Sequence, residues 1–393
     1  MTSVALESRP AGVPPGTAAA DVAAFRETSL GHLRRLALVA AGPDVDRALR
    51  ATRRTAEDFA ALLSPAAAGR LEDLAAAAHA TTVRRFGRVV RLFAPLYLSN
   101  ECVSVCTYCG FAAGNAVARR TLSGDEVVEE ARALLDRGFR HLLLVAGEHA
   151  RIVSKDYLAG CVRALAPVVP SVSVEVQVWD TAAYQRLVDA GCEGLVVYQE
   201  AYDPATYASV HVKGKKRNYN WRLGAPDRAA AAGVRRLGIG ALLGLHPDWR
   251  SEALTLAAHA KAILRRWWRC DLAVSLPRLR PAAGGYRPER AVTDAELAQL
   301  LCALRLYLPD VGVSLSTREP AALRDALIPL GVTQISAGSH TEPGGYARPS
   351  DAEPQFEVAD TRSPAAVAAA LRAAGYDPVW MDTIGARRLA SAP

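Results

Sequence analysis

No apolar run in the 393 residues reaches the roughly 18–20 residues of a membrane span. The N-terminus has neither the basic nor the apolar region of a secretory signal, so a soluble, cytoplasmic protein is expected, with no membrane partner. Cys161, Cys192, Cys270 and Cys302 stand singly, unlike a disulfide framework. The net charge is +7, yet no nucleic-acid-binding motif accompanies it, and no nucleic-acid partner is expected. The densest basic run, Lys213-Gly214-Lys215-Lys216-Arg217, reads as a solvated loop or a docking site for an acidic protein. Half of the residues are hydrophobic, enough for one large domain or two smaller ones.

What is present is concentrated in Ser99-Asn100-Glu101-Cys102-Val103-Ser104-Val105-Cys106-Thr107-Tyr108-Cys109-Gly110-Phe111, where three cysteines at C-x3-C-x2-C spacing follow an apolar run. Sulfur ligands suit iron–sulfur clusters, and a cluster that only carries electrons normally takes a fourth cysteine. Three cysteines leave one iron of a [4Fe-4S] cluster open to a small chelating ligand. That is the radical S-adenosyl-L-methionine arrangement, in which the amino and carboxylate groups of the cofactor occupy the open iron. A structural zinc site wants four ligands, usually as two close pairs, and His79 and His141 lie far from this loop in sequence. A non-catalytic zinc or redox-sensing protein is the alternative from another class. Tyr108 and Gly110, flanking the third cysteine, fit the radical pattern and add nothing for zinc.

Along the chain, residues 1–20 read as a Pro/Ala-rich leader and 21–87 as a helical extension, with Leu62, Leu63, Leu71 and Leu74 at helical spacing. Thereafter β-branched runs alternate with amphipathic helices. Strands are expected at 89–98, 141–145, 173–178, 194–199, 237–243, 271–276, 311–316 and 332–336. Ser123 with Glu126, and Thr293 with Glu296, read as capping boxes that open helices; Asp180 or Thr181 caps another. Eight such units make a (β/α)8 TIM-type barrel over 88–340, followed by a C-terminal extension, 341–393. Active sites in such barrels gather at the C-terminal strand ends, and the unusual polar residues here follow those ends.

Gly147-Glu148-His149 follows the second strand, where glycine permits close backbone approach and Glu148 can accept from an ammonium group such as that of S-adenosylmethionine. An ordinary strand-to-helix turn is the plainer reading. Arg278 and Arg280 in Pro277–Pro281 suit either a carboxylate ligand or an ion pair inside the barrel. Arg318, between Thr317 and Glu319 at a strand end, favours a ligand carboxylate. His149, His246 and His340 read as structural residues. Glu175 and Glu200 read as carboxylates on the buried side, without a defined role.

With these residues assembled, the chain resembles the 2-iminoacetate synthase family of radical S-adenosylmethionine enzymes, the tyrosine lyases of thiazole formation for thiamine. The resemblance is carried by Pro95–Asn100, Cys106–Phe111, His141–His149, Val197–Glu200, Lys213–Lys216, Pro277–Pro281, Leu315–Glu319, Glu342–Tyr346 and Pro378–Trp380, and covers roughly residues 40–385. It implies a radical SAM barrel that cleaves the Cα–Cβ bond of L-tyrosine to 2-iminoacetate and 4-cresol through a 5′-deoxyadenosyl radical. The cluster would sit on Cys102, Cys106 and Cys109, with Tyr108, Gly147, Glu148, Glu200, Arg278 and Arg280 on the cofactor side. In relatives, the arginine matching Arg318 and the serine matching Ser336 hold the substrate carboxylate. A flavodoxin- or ferredoxin-type electron donor and thiazole synthase are the implied partners. A related lyase acting on tryptophan is the alternative within the class. The hydrogenase maturase that also cleaves tyrosine has further C-terminal cysteines; here none follows Cys302, so no second cluster is expected. Glu101, Val103–Val105 and Met381-Asp382 depart from the family pattern.

Overall fold

The computed structural model describes residues 14–381. Asp382 and residues 1–13, most of the stretch read as a leader, fall outside it. Eight parallel strands close a barrel: β1 (Val89–Ser99), β2 (His141–Ala146), β3 (Ser171–Glu175), β4 (Gly194–Glu200), β5 (Arg236–Ala241), β6 (Asp271–Ser275), β7 (Gly312–Leu315) and β8 (Gln334–Ser336). Closure is made by β8 against β1, with Arg91 opposite Gln334 and Phe93 opposite Ser336. The strands are β-branched and leucine-rich because helices cover the outer face while side chains fill the interior. Alternate residues point inward, so Ser173 and Glu175 of β3, and Val196, Tyr198 and Glu200 of β4, look along the same lumen.

The capping signals act where the sequence puts them. Ser123 caps Gly124–Asp136, Asp180 caps Thr181–Asp189 and Thr293 caps Asp294–Tyr307, the first and last with full capping boxes. β3 starts and stops earlier than the expected 173–178. Its pairing with β2 runs from Ser171 to Glu175, after which the chain turns towards the cap at Asp180. The extension before β1 folds into helices that pack on the outside of the barrel. The first, Ala18–Thr28, is anchored where the Asp227 carboxylate accepts from the N–H groups of Ala18 (3.0 Å) and Ala19 (3.3 Å). Gln299 Nε2 donates to the carbonyls of Leu62 and Ser64, holding the helix Ala56–Leu62 against Asp294–Tyr307.

After β8 the chain crosses the barrel mouth before it returns to the base. The crossing segment is stitched down by backbone bonds from Gly110 N–H to the Gln355 carbonyl (3.1 Å), from Glu357 N–H to Pro281 (2.9 Å) and from Ala359 N–H to Thr317 (3.0 Å). Tyr346 donates its hydroxyl to the Pro95 carbonyl (2.7 Å), and its N–H donates to Glu130 (2.7 Å). A helix, Pro364–Ala373, then leads to a ninth strand, β9 (Asp377–Val379), which pairs in parallel with Val89–Arg91 of β1. At the edge of the sheet Pro378 disrupts no ladder.

The buried Arg324–Asp360 pair also ties this segment to the barrel. Their side chains are 1% and 0% exposed, Arg324 also reaches the Ser336 carbonyl, and Arg362 supports Asp360 from the other side (2.8 Å). Arg324→Met removes one partner but leaves Arg362, so we expect a loss at the low end of a broken buried pair, about 3 kcal/mol. A lower urea midpoint, with faster proteolysis within 341–363, is the expected reading; an unchanged midpoint would show that Arg362 alone suffices.

Candidate active site

The cysteine loop begins where β1 ends. Ser99 Oγ accepts from Glu101 N–H (3.1 Å), and Asn100 is fixed by bonds to the backbone of Ala118 and Arg120 (2.7 Å each). The Arg119 guanidinium donates to the carbonyls of Asn100 (2.6 Å), Phe111 (2.9 Å) and Ala112 (2.8 Å), tying the two ends of the loop together. Val105–Cys106 pairs antiparallel with His211–Lys213. Two glycines are required by close approach. A Cβ on Gly147 would lie 2.3 Å from the Glu101 carbonyl oxygen and 3.2 Å from Cys102 Cβ; one on Gly110 would lie 2.6 Å from the Gln355 carbonyl oxygen. The Gly147 backbone is thus part of the wall behind the first cysteine.

Cys102, Cys106 and Cys109 are free thiols within electrostatic reach of one another. Burial raises the Cys102 thiol against backbone hydrogen bonds at Ser104 and Glu148, with Cys109 and the Glu148 charge adding to the rise, and burial pushes Cys106 up to about 12 in spite of nearby Lys216. Thiolates here therefore call for a strong positive partner such as bound metal. Among the described residues, no three His, Cys, Asp or Glu side chains converge on a single ion. The loop therefore offers no ready mononuclear site of the zinc type. The other four cysteines are dispersed, three buried and Cys270 half-buried.

Beside the thiols lies a buried network of charge. Glu200 Oε1 accepts from Lys216 Nζ (2.8 Å) and lies 3.5 Å from Arg222 Nη2. Arg222 also lies 3.5 Å from Glu148 Oε1 and donates from Nε to the Tyr198 carbonyl (2.6 Å). Glu148 Oε2 accepts from Ser104 Oγ (3.0 Å), so this carboxylate braces the cysteine loop. Burial opposes the Glu200 charge, but Lys216 and Arg222 hold its carboxyl below the usual range. Burial and Arg222 likewise oppose the Lys216 charge, yet Glu200, Cys106 and Glu148 keep its pKa above the ordinary lysine value. Glu200 reaches this position with φ of +69°, unusual outside glycine.

Tyr108 is held by a defined tautomer. His211 Nδ1 lies 2.8 Å from the Tyr207 carbonyl, which can only accept, so Nδ1 carries the proton. Burial, with Lys216 nearby, lowers His211 to about 3 and keeps it neutral. Its Nε2 therefore accepts from the Tyr108 hydroxyl (2.9 Å). Lys216 Nζ sits 5.7 Å from the centre of the same tyrosine ring.

A cavity at the mouth is lined by Tyr108, Cys109, Glu175, Tyr198, Glu200, Lys216, Arg280 and Arg318, and is roofed by Gln355 and Phe356. Gln355 Oε1 accepts from Tyr97 (2.8 Å), and its Nε2 lies 3.7 Å from Cys109 Sγ. The three mouth arginines differ in what already binds them. Arg278 is held by Glu319, by Asp294 (2.8 Å) and by the Val292 carbonyl (2.8 Å), and does not line the cavity. Of the two readings open for it, the ion pair is the one found, and this places Arg278 away from the cavity rather than on the cofactor side that the resemblance implied. Arg280 lies 3.8 Å from Glu357, but its buried Nε has no hydrogen-bond partner. Arg318 stacks on Phe356, its Cζ 3.4 Å from the ring centroid, with no carboxylate at ion-pair distance among the described residues. Ser336 is buried at the end of β8; its Oγ accepts from Thr317 N–H (3.2 Å), which leaves the hydroxyl proton available.

Several expectations change here. The basic run is not one solvated loop: Lys213, Lys215 and Arg217 are exposed, whereas Lys216 turns inward to Glu200. The short 3-10 turn Lys215–Arg217 after Gly214 (φ +96°) separates them. Arg222, His211 and Gln355 were not anticipated, and Glu175 had no role; no local motif marks them. The three histidines are structural: His149 Nδ1 accepts from Ile152 N–H (3.2 Å), His246 pairs with Thr206 (2.9 Å) and His340 with Glu342 (2.8 Å).

The Radical SAM superfamily pattern matches residues 96–257, and the Biotin and Thiamin Synthesis associated domain matches 275–377. The 2-iminoacetate synthase of Escherichia coli (strain K12) is 46% identical over 339 residues, covering 86% of this chain and 90% of that protein. The FeFe-hydrogenase maturase HydG from Carboxydothermus hydrogenoformans superposes with a TM-score of 0.83 at 30% identity, over 95% of this chain and 87% of that one. Methylornithine synthase shares the fold, with a TM-score of 0.70 at 21% identity over 86% of this chain and 97% of that one. The chain belongs to the radical SAM superfamily and, within it, to the 2-iminoacetate synthase family.

Proposed function

We propose that this protein cleaves the Cα–Cβ bond of L-tyrosine to 2-iminoacetate and 4-cresol, with a [4Fe-4S] cluster and S-adenosylmethionine as cofactors. The observation that carries this is its 46% identity to the E. coli 2-iminoacetate synthase across nearly all of both chains. The three thiols, at C-x3-C-x2-C spacing in one loop and within electrostatic reach of one another, support Cys102, Cys106 and Cys109 as cluster ligands. The orphaned Arg280 Nε at the cavity wall supports that residue as a partner for a cofactor carboxylate. When bound, the cluster and S-adenosylmethionine supply a carbon-centred radical able to remove a hydrogen atom from the substrate amine. Tyr108, Gly147, Glu148 and Glu200 act as the wall and the charge balance around that pair. The remaining work of the chain is to orient the substrate and keep water out, because a stray radical reacts with almost anything it meets.

Arg318 is the residue we assign to the tyrosine carboxylate, with Ser336 as second donor. Its support is a half-buried guanidinium that faces the cavity, stacked and without a carboxylate partner, since such a fork gives two parallel bonds to a carboxylate. In anaerobically reconstituted enzyme, Arg318→Lys is expected to continue cleaving S-adenosylmethionine with little 4-cresol, because charge persists while orientation is lost. Arg318→Ala is expected to raise the tyrosine requirement about 10- to 100-fold, the range of a lost charged hydrogen bond, with an unchanged cluster spectrum. Normal tyrosine binding with failed S-adenosylmethionine binding would transfer this arginine to the cofactor. Indole-type products from tryptophan, with no 4-cresol from tyrosine, would replace the substrate reading.

For the electron donor we propose an acidic, flavodoxin-like protein that docks on the ribbon bonded to the cysteine loop. Exposed Val103, just before one strand, and exposed Val212, within the other, accompany exposed Lys213, Lys215 and Arg217. An apolar patch ringed by positive charge suits such a partner and gives salt-sensitive association. Charge reversal at Lys213 and Lys215 should slow turnover with the protein donor, more at low salt, and spare turnover with dithionite. Lys216→Met should reduce turnover with both reductants, since it leaves the buried Glu200 charge without its nearest cation. Equal losses for the surface pair with both reductants would rule out the docking role.

A further inference from the structure

We propose that Glu175 receives the α-amino group of the amino-acid substrate, so that Glu175 and Arg318 read its two charges together. The inference rests on the lyase reading above and adds the second half of the substrate's recognition. Two carboxylates, Glu175 and Glu200, line the cavity, with Glu148 behind them and Glu357 already facing Arg280. Glu148 is held by Ser104 and Arg222, and Glu200 by Lys216 and Arg222. Glu175, at the inward-facing end of β3, is the one with no cation at ion-pair distance among the described residues. Arg318 across the cavity lacks a carboxylate in the same way, yet the two feel each other's charge. A cavity with one unmatched cation and one unmatched anion, set apart from each other, is complementary to a zwitterion. An α-amino acid places its carboxylate and ammonium group on one carbon and neutralises both at once. A substrate lacking either group would leave a partly buried charge unpaired.

The surroundings suit a proton acceptor as well as a binding partner. Burial and the Glu200 charge push the Glu175 carboxyl up to about 7, against the pull of Arg318, Arg222 and Lys216. The other groups facing it are Tyr97 of β1, Tyr198 of β4 and Cys109 of the cysteine loop; burial holds both phenols above their usual value. An ionised Glu175 can take one proton from the substrate ammonium, leaving a neutral amine and a carboxylic acid, with charge and atoms conserved. The amine nitrogen then carries a lone pair and two hydrogens, the form from which a hydrogen atom is most readily removed. Glu175 must be ionised to do this. Productive binding is therefore present above its raised pKa and lost as pH falls through about 7.

The test is ligand binding to the reconstituted, cluster-loaded protein, measured by calorimetry with L-tyrosine, with 3-(4-hydroxyphenyl)propanoate, which lacks the amine, and with tyramine, which lacks the carboxylate. Wild type should prefer tyrosine to either analogue by about 10- to 100-fold. Glu175→Gln, nearly isosteric, should weaken tyrosine by that factor, leave the propanoate unchanged and remove the acid limb near pH 7. Arg318→Ala should erase discrimination against tyramine while keeping discrimination against the propanoate. The proposal is overturned if Glu175→Gln binds tyrosine as wild type does, keeps the acid limb, or weakens the propanoate equally. If Glu175→Gln loses its cluster spectrum, Glu175→Asp replaces it: a retained acid limb with weaker tyrosine binding is expected, and unchanged binding overturns the assignment. Should wild type bind L-tryptophan and not tyrosine, the tyrosine reading fails. The same comparison with tryptophan and 3-indolepropanoate then decides on Glu175 independently.

Discussion

Glu148, Glu200, Lys216 and Arg222 bring two negative and two positive charges into a region from which the fold has largely removed water. Each such ion forfeits several kcal/mol of hydration, so none of the four could be tolerated there alone. Together they sum to zero, and each is held by at least one other. The network also joins the turn after β2, the end of β4, the segment after β4 and, through Ser104, the cysteine loop, of which only the last two are also linked by strand pairing. The thiols consequently sit on a frame whose rigidity comes from electrostatics. The positive φ of Glu200 is the local strain that this arrangement sustains, about 1–3 kcal/mol for a residue held in that region. Shifting that residue back to the β region would withdraw the carboxylate from Lys216.

The parts of the fold that were legible in the sequence are those governed by neighbours a few residues away. Ser123 with Glu126, and Thr293 with Glu296, satisfy helix-end N–H groups within one turn, so spacing alone identifies them. The barrel strands are buried on both faces and announce themselves as short apolar runs. The cysteine spacing is local in the same sense. Lys216 illustrates the opposite case. In sequence it is one cation among four in five residues, and an average over the run gives a solvated loop. Its fate depends on Gly214 turning the backbone and on a carboxylate 16 residues earlier. Gln355 is invisible for the same reason, since it arrives from 246 residues beyond Cys109, whereas Glu175 is readable as a carboxylate on the buried side but takes its setting from Glu200 and Arg318 at the ends of other strands.

Short barrel strands also explain why the chain needs its C-terminal segment. β8 contributes only Gln334–Ser336 to the closure with β1, a seam that would leave the mouth open on that side. The crossing segment covers it, bonded to the loops after β6 and β7 and to Gly110, while β9 extends the base beside β1. The same stretch carries Gln355 and Phe356 into the cavity wall. Closing the barrel and roofing the site are therefore one structural act. Loosening the Arg324–Asp360 anchor would admit water to the site as well as weaken the fold.

The arginines at the mouth show how burial sorts identical side chains into different chemistry. A guanidinium has five donors in a fixed plane, and what remains available depends on which are already engaged. Arg278 is surrounded by two carboxylates and a carbonyl, so it fixes the loop after β6 to the loop after β7. That loop then presents Arg280, whose Nε is buried without an acceptor. Arg318 follows Thr317, whose carbonyl and N–H are both held, and its plane is set by the face of Phe356. Stacking removes rotational freedom without consuming a single N–H. A lysine could supply the same charge but neither the plane nor the stack. The orientation of this guanidinium in the cavity thus comes from an aromatic ring that itself makes no hydrogen bond.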